Sequence, residues 1–267
     1  MKLTLAAFGI FTGSIFTGSV LIGSVCLGMF AVPAASAGEV PVLAELFTSE
    51  GCSSCPPADA VLMQLDRLQP VAGAHIIVLS EHVDYWNSLG WRDPFSAAQF
   101  SRRQAEYARI LGSEVYTPQL VIDGRVQLNG SDGRDIQAAI AHAAVKPKVP
   151  VQIVQATREG GEAVVHVTVP ALPSGKSDVW VAIADESDQS SVSKGENSGR
   201  KLAHVAVVRS LSKVGPVSKS EGCDQTVRLP LNPANTGGSR VVVWVGQAYN
   251  PVLGAASAPL AAGSVLP

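Results

Sequence analysis

The chain has 267 residues, of which 46% are hydrophobic and 16% are charged, with 20 Lys and Arg against 22 Asp and Glu. A formal net charge of −2 offers no basic surface for phosphate neutralisation, so we expect no nucleic-acid partner. The apolar content is too high and too evenly spread for a disordered chain, and the length suits one large domain or two small ones. Four cysteines are too few for a disulfide scaffold, so each is judged by its position.

The first 37 residues predict a secretory signal peptide. Lys2 is the only charge before Glu39, an apolar run extends from Leu3 to Val32, and Ala35-Ser36-Ala37 forms an A-x-A cleavage site. The apolar run is long enough to span a bilayer, so we expect a membrane partner only if the segment stays uncleaved. Cleavage after Ala37 places the mature chain outside the cytoplasm, periplasmic or secreted, where disulfides persist.

The mature chain begins with a strand, a helix and a second strand. Apolar residues over 40–47 indicate a buried strand, a helix runs from Ala58 until Pro70 stops it, and the run His75–Ser80 indicates another buried strand. This order fits a right-handed crossover that joins a parallel pair of strands.

The remaining elements fall on two sides of a linker at Lys146–Pro150. Before it, the sequence predicts a helix capped by Ser96 that ends near Leu111, a hairpin across Asp123-Gly124, and a helix over 132–144. After it, short alternating segments predict antiparallel strands over 151–156, 163–169, 179–185, 203–208, 225–231 and 240–248. The pattern predicts an α/β domain over 39–146 and an all-β sandwich domain over 150–260.

The strongest chemical signal is Cys52-x-x-Cys55 at the junction of a buried strand and a helix. Amides at a helix N-terminus stabilise a thiolate and lower its pKa, and the C-x-x-C spacing lets the second sulfur resolve a mixed disulfide. We therefore expect Cys52 to be the exposed, attacking thiol and Cys55 to be the resolving thiol. A static disulfide and half of a zinc site are the alternatives, although the mature chain has only Cys223 as a further cysteine.

Residues outside the motif are candidates for the same chemistry. Thr117-Pro118 precedes a predicted strand, where a thioredoxin fold has a cis proline beside which an extended substrate pairs. The alternative is an ordinary trans proline that begins an edge strand. Glu45 is a carboxylate in an apolar strand, and a buried acid can carry a proton to a resolving thiol. The alternatives for this acid are a position at a strand edge and a salt bridge to Arg102, Arg103 or Arg109.

Polar and aromatic residues follow the second strand at its carboxyl end, the edge where open α/β sheets bind ligands. His82 and Trp86 are candidates for a substrate cleft beside Cys52, and Trp91 follows them; packing within a large loop is the alternative for the tryptophans. His82 with both cysteines would also suit soft Cu(I), so copper binding or delivery is the alternative function. A third possible function is a binding module in which the cysteine pair forms a static disulfide. Cys223 is a free thiol, an intermolecular disulfide partner or a target of the pair.

The segment LFTSEGCSSCPPAD at 46–59 resembles the signature of a family of secreted bacterial proteins catalogued as domain of unknown function 1223. The segments HVDYW at 82–86 and YTPQ at 116–119, and the Gly, Glu, Asn and Arg residues of the loop 194–200, are similar to that family as well. The resemblance implies a thioredoxin-like fold, and it implies no established substrate. It also implies that the loop 194–200 is more than a tolerated surface loop.

The sequence therefore predicts an exported thiol–disulfide oxidoreductase. The predicted fold class is an α/β thioredoxin-like domain followed by an all-β sandwich domain. Cys52 attacks, Cys55 resolves, Thr117-Pro118 positions a substrate strand and Glu45 is the candidate proton carrier. The expected partners are protein or small thiol and disulfide substrates and a redox partner that recycles the pair. No organic cofactor is expected, because the sequence has no Gly-rich phosphate loop.

Overall fold

The structure, a computed structural model, describes residues 38–231, 238–246 and 251–262. The predicted signal peptide and its cleavage site lie outside the described residues. Over these ranges the chain forms three α-helices, a short 3-10 helix and twelve β-strands. No helix of the described part has the length and apolar character needed to cross a membrane.

The described chain up to residue 144 alternates strands and helices. Its elements are β1 (Val40–Thr48), α1 (Pro56–Leu68), β2 (Ala74–His82), the 3-10 helix (Tyr85–Leu89), α2 (Ala98–Leu111), β3 (Gln119–Ile122), β4 (Val126–Asn129) and α3 (Gly133–Ala144). The predicted parallel pairing of β1 with β2 is confirmed, and β3 pairs antiparallel with both β1 and β4. The predicted cap of α2 is wrong by one position, because Ala97 and not Ser96 is the N-cap residue.

The described chain from residue 152 onward consists of strands. These are β5 (Gln152–Glu159), β6 (Glu162–Val169), β7 (Lys176–Ser191), β8 (Lys201–Ser218), β9 (Cys223–Pro230), β10 (Ser239–Gly246), β11 (Gly254–Pro259) and β12 (Ala261–Ala262). Each of the six predicted strand segments falls largely within one of them, and the sequence analysis missed β11 and β12.

Two sheets contain all of these strands. The larger has the order β11-β10-β7-β8-β2-β1-β3-β4, and the smaller has the order β12-β5-β6-β9. Each of the two predicted domain ranges thus supplies four strands to the larger sheet, and β2 meets β8 in parallel at the pair Ser80–Val207.

The predicted fold class, an α/β thioredoxin-like domain followed by an all-β sandwich domain, is wrong. The structure is mostly β, and one sheet runs through both predicted ranges. The reason is visible in β10, where Val242 and Trp244 belong to a core shared with β1, β2 and the helices. Val241, Val243 and Val245 point into a second core that the smaller sheet covers. A strand buried on both faces needs partners from both parts of the chain.

The long hairpin of β7 and β8 brings the second part of the chain to the first. The two strands have 16 and 18 residues, and their pairing extends to Ser191 and Lys201. Beyond that pair, backbone hydrogen bonds from Val192 to Arg200 (3.0 Å) and from Gly199 to Val192 (2.8 Å) close the end of the hairpin. We call residues 192–200 the hairpin tip.

Candidate functional site: a covered disulfide turn

The two cysteines of the C-x-x-C motif lie in the turn between β1 and α1. Their sulfurs form a disulfide with a Cα–Cα distance of 5.4 Å. Cys55 is the N-cap residue of α1, and the hydroxyl of Ser54 lies 3.3 Å from the sulfur of Cys52. The predicted position of the pair at a strand–helix junction is confirmed. We call residues 49–55 the disulfide turn.

The first turn of α1 has fewer backbone N–H groups that could stabilise a thiolate than an ordinary helix N-terminus has. Pro56 and Pro57 begin the helix and have no N–H to donate. The amides of Ala58 and Asp59 donate to the carbonyl of Cys55, at 2.8 and 3.1 Å. These two amides are therefore already engaged by the backbone of the turn.

The disulfide is buried, so the expectation that Cys52 is exposed is wrong. Both cysteines have 0% relative exposure, whereas Ser53 and Ser54 between them are exposed. Neither cysteine belongs to any of the three clusters of buried apolar side chains formed by the described residues. The hairpin tip contacts the turn that contains both cysteines.

The hairpin tip covers the disulfide turn by hydrogen bonds to its backbone. Asn197, which is 1% exposed, donates from Nδ2 to the carbonyls of Glu50 and Cys52, both at 2.9 Å. The amide of Ser53 donates to the carboxylate of Glu196 at 3.1 Å, and hydrogen bonds from Ser53 lower the pKa of that carboxyl. The loop singled out by the family resemblance is therefore the cover of the disulfide.

Two glycines allow this close approach. Gly195 in the hairpin tip has a φ of +76°, and a Cβ there would lie 3.2 Å from the Cβ of Trp91. A Cβ on Gly51, just before Cys52, would lie 3.0 Å from the Cβ of Trp86. The two tryptophans therefore pack against the disulfide turn and its cover, which is the packing alternative that the sequence left open.

A buried network of carboxylates around one imidazole lies at the same turn. The carboxylate of Glu50 accepts hydrogen bonds from Nε1 of Trp91 (2.8 Å) and from the hydroxyl of Ser190, and it lies 3.2 Å from Nε2 of His204. Nδ1 of His204 lies 3.6 Å from the carboxylate of Asp59. Burial opposes a charge on His204, but its interactions with the carboxylates of Asp59 and Glu50 outweigh burial and raise the pKa of His204 to about 10. His204 is therefore a cation at neutral pH.

His82 is engaged by a carboxylate of its own. Its Nδ1 lies 2.7 Å from Asp93, and its ring packs edge-on against His204 and Phe95, with centroids 4.7 and 5.3 Å away. Burial acts to raise the pKa of Asp93, but the charge and hydrogen bond of His82 and backbone amides outweigh it and lower that pKa. No group of three or more His, Cys, Asp or Glu side chains in the described ranges could hold a metal ion, and the two cysteines among the candidate copper ligands are bonded to each other.

The Thr117–Pro118 peptide bond is cis, as the sequence predicts. The hydroxyl of Thr117 accepts a hydrogen bond from Nε1 of Trp86 at 2.9 Å, so two candidate substrate-binding residues bond to each other. Gly130 donates its amide to the carbonyl of Pro118 at 3.0 Å. A Cβ on Gly130 would lie 3.3 Å from the Cβ of Pro118 and 3.0 Å from that of Ala58. Pro118 therefore lies beside the first turn of α1.

Glu45 lies in a separate ion-pair cluster. Its Oε1 accepts hydrogen bonds from Nε (2.9 Å) and Nη2 (2.5 Å) of Arg103, and its Oε2 accepts one from the hydroxyl of Tyr107 (2.7 Å). Arg103 also lies 3.3 Å from Glu81, and burial raises the pKa of Glu81 well above its usual value. Glu45 therefore forms the salt bridge to Arg103 that the sequence leaves open as an alternative. The buried acids at the disulfide turn are Glu50 and Asp59.

Cys223 begins a strand in the second part of the chain. It is the first residue of β9 in the smaller sheet and is 5% exposed. Burial, with the charge of Asp224, raises the pKa of its thiol. Among the described cysteines it is the one outside a disulfide.

The sequence analysis missed three residues that hold the disulfide turn. Glu50 and Asn197 fall inside the segments that carry the family resemblance, and this was the one signal that could have found them. His204 has no such signal, because it lies in an alternating segment that predicts only a strand. Its role appears once β8 is placed against β2.

The fold and the site define a mostly β protein with a disulfide at a strand–helix turn, covered by a hairpin from the second part of the chain. A family model described as a protein of unknown function (DUF1223) matches residues 43–246, which include the disulfide turn and the hairpin tip. The chain belongs to this family, as the sequence resemblance indicates.

Solved structures are similar to the chain to different degrees. The chain is similar to protein AGR_C_4864 from Agrobacterium tumefaciens, known from a crystal structure, at 31% identity and a TM-score of 0.61, with 86% of this chain and 97% of that chain covered. OgpA from Akkermansia muciniphila has 14% identity and a TM-score of 0.27, with 43% of this chain and 27% of that chain covered. CsgH from R. palustris has 14% identity and a TM-score of 0.18, with 42% and 91% covered. The last two likenesses are too weak to use. Among curated proteins, none matches the chain.

Proposed function

We propose that the chain is an exported thiol–disulfide exchange protein whose Cys52–Cys55 pair reacts when the hairpin tip lifts. The observation that carries the proposal is the nature of the cover. Asn197 donates hydrogen bonds to the disulfide turn and Glu196 accepts one from it, and the disulfide lies outside the apolar clusters of the described residues. A polar cover at the end of a hairpin can open locally at a free-energy cost below that of global unfolding.

With the tip lifted, the pair can exchange with a substrate dithiol. A substrate thiolate attacks one sulfur, the Cys52–Cys55 bond breaks, and a mixed disulfide forms with release of the other cysteine. The second substrate thiol then displaces the bound cysteine. The substrate becomes a disulfide by giving two electrons and two protons to the pair. In the reverse direction Cys52 attacks a substrate disulfide, and Cys55 then resolves the mixed disulfide. An extended substrate docks beside Thr117-Pro118.

Export is part of the same proposal. The leader with its A-x-A site directs the chain out of the cytoplasm. A disulfide is stable in the periplasm or outside the cell and is rare in the cytoplasm. A redox partner must recycle the pair there.

The burial of both cysteines favours a second candidate function. In this alternative the disulfide is a static staple that fixes the disulfide turn, and the chain is a binding module. The two functions differ in one measurable property, which is whether the disulfide opens while the protein stays folded.

The test uses the full chain with Cys26→Ser and Cys223→Ser, so that every thiol detected comes from the pair. The oxidised protein is treated with dithiothreitol in native buffer, quenched by alkylation and analysed by mass, with circular dichroism as the monitor of folding. We expect both thiols to appear while the fold persists. Opening only under unfolding conditions would identify the disulfide as a staple.

A second assay tests catalysis. Wild type, Cys52→Ser and Cys55→Ser are compared in the reduction of a model protein disulfide, with dithiothreitol as the electron source. We expect both variants to lose the activity of the wild type. Equal rates for all three would contradict the proposal.

A further inference from the structure

The imidazole of His204 lies between the two carboxylates that flank the disulfide along the chain. We propose that His204 is a positioning residue of the disulfide site, whose positive charge compensates Glu50 and Asp59 and so controls how readily the cysteine thiols ionise. The inference rests on the proposed function, because the ionised thiol is the species that exchanges.

The Glu50 side of this arrangement is tied directly to Cys52. Glu50 precedes Cys52 by two residues, and the carbonyls of both accept from the same side-chain amide of Asn197. The carboxylate of Glu50 is fully buried and contacts Trp91, Ser190 and His204. Of these three partners, only His204 carries a positive charge.

The Asp59 side is tied to Cys55. Asp59 follows Cys55 by four positions, and its amide donates to the carbonyl of Cys55 at 3.1 Å. Residues four apart on a helix share a face, so the Asp59 carboxylate lies on the side of α1 that the Cys55 side chain occupies. That carboxylate is 5% exposed and lies 3.6 Å from Nδ1 of His204.

The other charged groups near His204 have partners of their own. Asp188 is its neighbour on β7, and Arg209 lies 3.5 Å from Asp188 and also pairs with Asp185 at 2.5 Å. Asp93, reached through the ring of His82, is paired with His82. Glu50 and Asp59 are therefore the carboxylates whose charge His204 balances.

Neutralising His204 leaves the two carboxylates without this cation, and a thiolate would add a third negative charge. At an effective dielectric constant of about 20, a unit charge on the order of 10 Å away shifts an ionisation by slightly more than one pKa unit. Loss of the imidazolium should therefore raise the pKa of the nearer thiol by about one unit. Loss of a carboxylate should lower it.

The experiment measures the pKa of the Cys52 thiol in a chain that has no Cys55. This pKa can be measured whether or not the two-cysteine chain exchanges disulfides. In the full chain with Cys26→Ser, Cys55→Ser and Cys223→Ser, Cys52 is the remaining cysteine, and its ionisation is followed by ultraviolet thiolate absorbance. His204→Gln is added and compared with His166→Gln. His166 pairs with Asp224 at 2.7 Å in the smaller sheet, with 31% side-chain exposure, and provides a matched control.

We expect His204→Gln to raise the pKa of Cys52 by about one unit, equivalent to roughly a tenfold loss of thiolate below that pKa, and His166→Gln to leave it unchanged. Glu50→Gln should shift it in the opposite direction. Opposite signs identify a charge effect, which a loss of packing alone would not produce. If His204→Gln fails to fold, Glu50→Gln decides, because a fall in the pKa supports the inference and no fall overturns it.

Two results overturn the inference: a pKa in His204→Gln equal to that of the parent, or shifts of the same sign in His204→Gln and Glu50→Gln. Failure of the proposed function is a separate outcome. It appears as no exchange by the two-cysteine chain, with the pKa shifts of the single-cysteine chains still opposite in sign.

Discussion

Replacement of Asn197 by alanine removes the side chain that fastens the hairpin tip to the disulfide turn. The variant loses the hydrogen bonds from Nδ2 to the carbonyls of Glu50 and Cys52, both 2.9 Å long. It also loses the bond that Oδ1 accepts from Arg200 at 2.9 Å. The tip keeps its backbone closure at Val192, so the expected effect is local opening of the cover.

The magnitude follows from the two amide hydrogen bonds. A buried neutral hydrogen bond contributes about 1 kcal/mol net, so two of them hold the tip closed by about 2 kcal/mol. Since 1.4 kcal/mol corresponds to a factor of ten, the open population should rise about 30-fold. If a reductant reaches the disulfide only through the open form, the reduction rate should rise by the same factor.

The assay is the rate at which dithiothreitol reduces the folded protein, in the chain with Cys26→Ser and Cys223→Ser. Ser198→Ala is the matched control, because the Ser198 hydroxyl donates to the carbonyl of Ser193 at 3.1 Å within the same tip. Denaturant unfolding of each variant gives its global stability. Equal reduction rates for wild type, Asn197→Ala and Ser198→Ala would refute the reasoning. So would a rate increase matched by an equal increase in global unfolding.

Three further predictions concern stability, measured by denaturant unfolding. Gly130→Ala should destabilise the protein by about 1–3 kcal/mol, because the added Cβ would lie 2.7 Å from Cδ1 of Leu46. Gly133→Ala is the control and should cost no stability, because a Cβ there meets nothing within 4 Å. Equal losses of stability in the two variants would contradict the clash. Tyr107→Phe should cost about 1–3 kcal/mol, because Glu45 loses the buried hydroxyl 2.7 Å away; an unchanged midpoint would argue against that bond. The pKa of His204 is raised from 6.5 to about 10, so its stabilising contribution is complete below pH 6.5 and is lost as the pH rises towards 10. The stability difference between wild type and His204→Gln should shrink over that range, and a difference independent of pH would count against the ion pairs.

The elements near the disulfide could be predicted because their signals are local. The apolar run that forms β1, the helical spacing that forms α1 and the Asp-Gly turn between β3 and β4 each lie within a few residues. The cis bond before Pro118 follows from an X-Pro pair in a recognisable context. The family resemblance singled out the loop 194–200, which belongs to the hairpin tip.

The fold class could not be predicted in the same way, although one signal was available. Val241–Val245 is a continuous apolar run rather than an alternating one, and such a run indicates a strand covered on both faces. An independent sandwich domain would bury only one face of this strand. The apolar content of β10 is satisfied by one core on each side.

By itself, the sequence determined the local frame of this protein: a disulfide-forming pair at a strand–helix junction, with a cis proline before β3. Spacing, capping and backbone preference act over a few residues, so they can be read from the chain directly. Only the tertiary structure decided that the pair is covered and that its charges are balanced. Asn197 and Cys52 are 145 residues apart, and His204 and Glu50 are 154 apart. Contacts over such separations arise when strands bury both of their faces, and that packing places the hairpin tip over the disulfide.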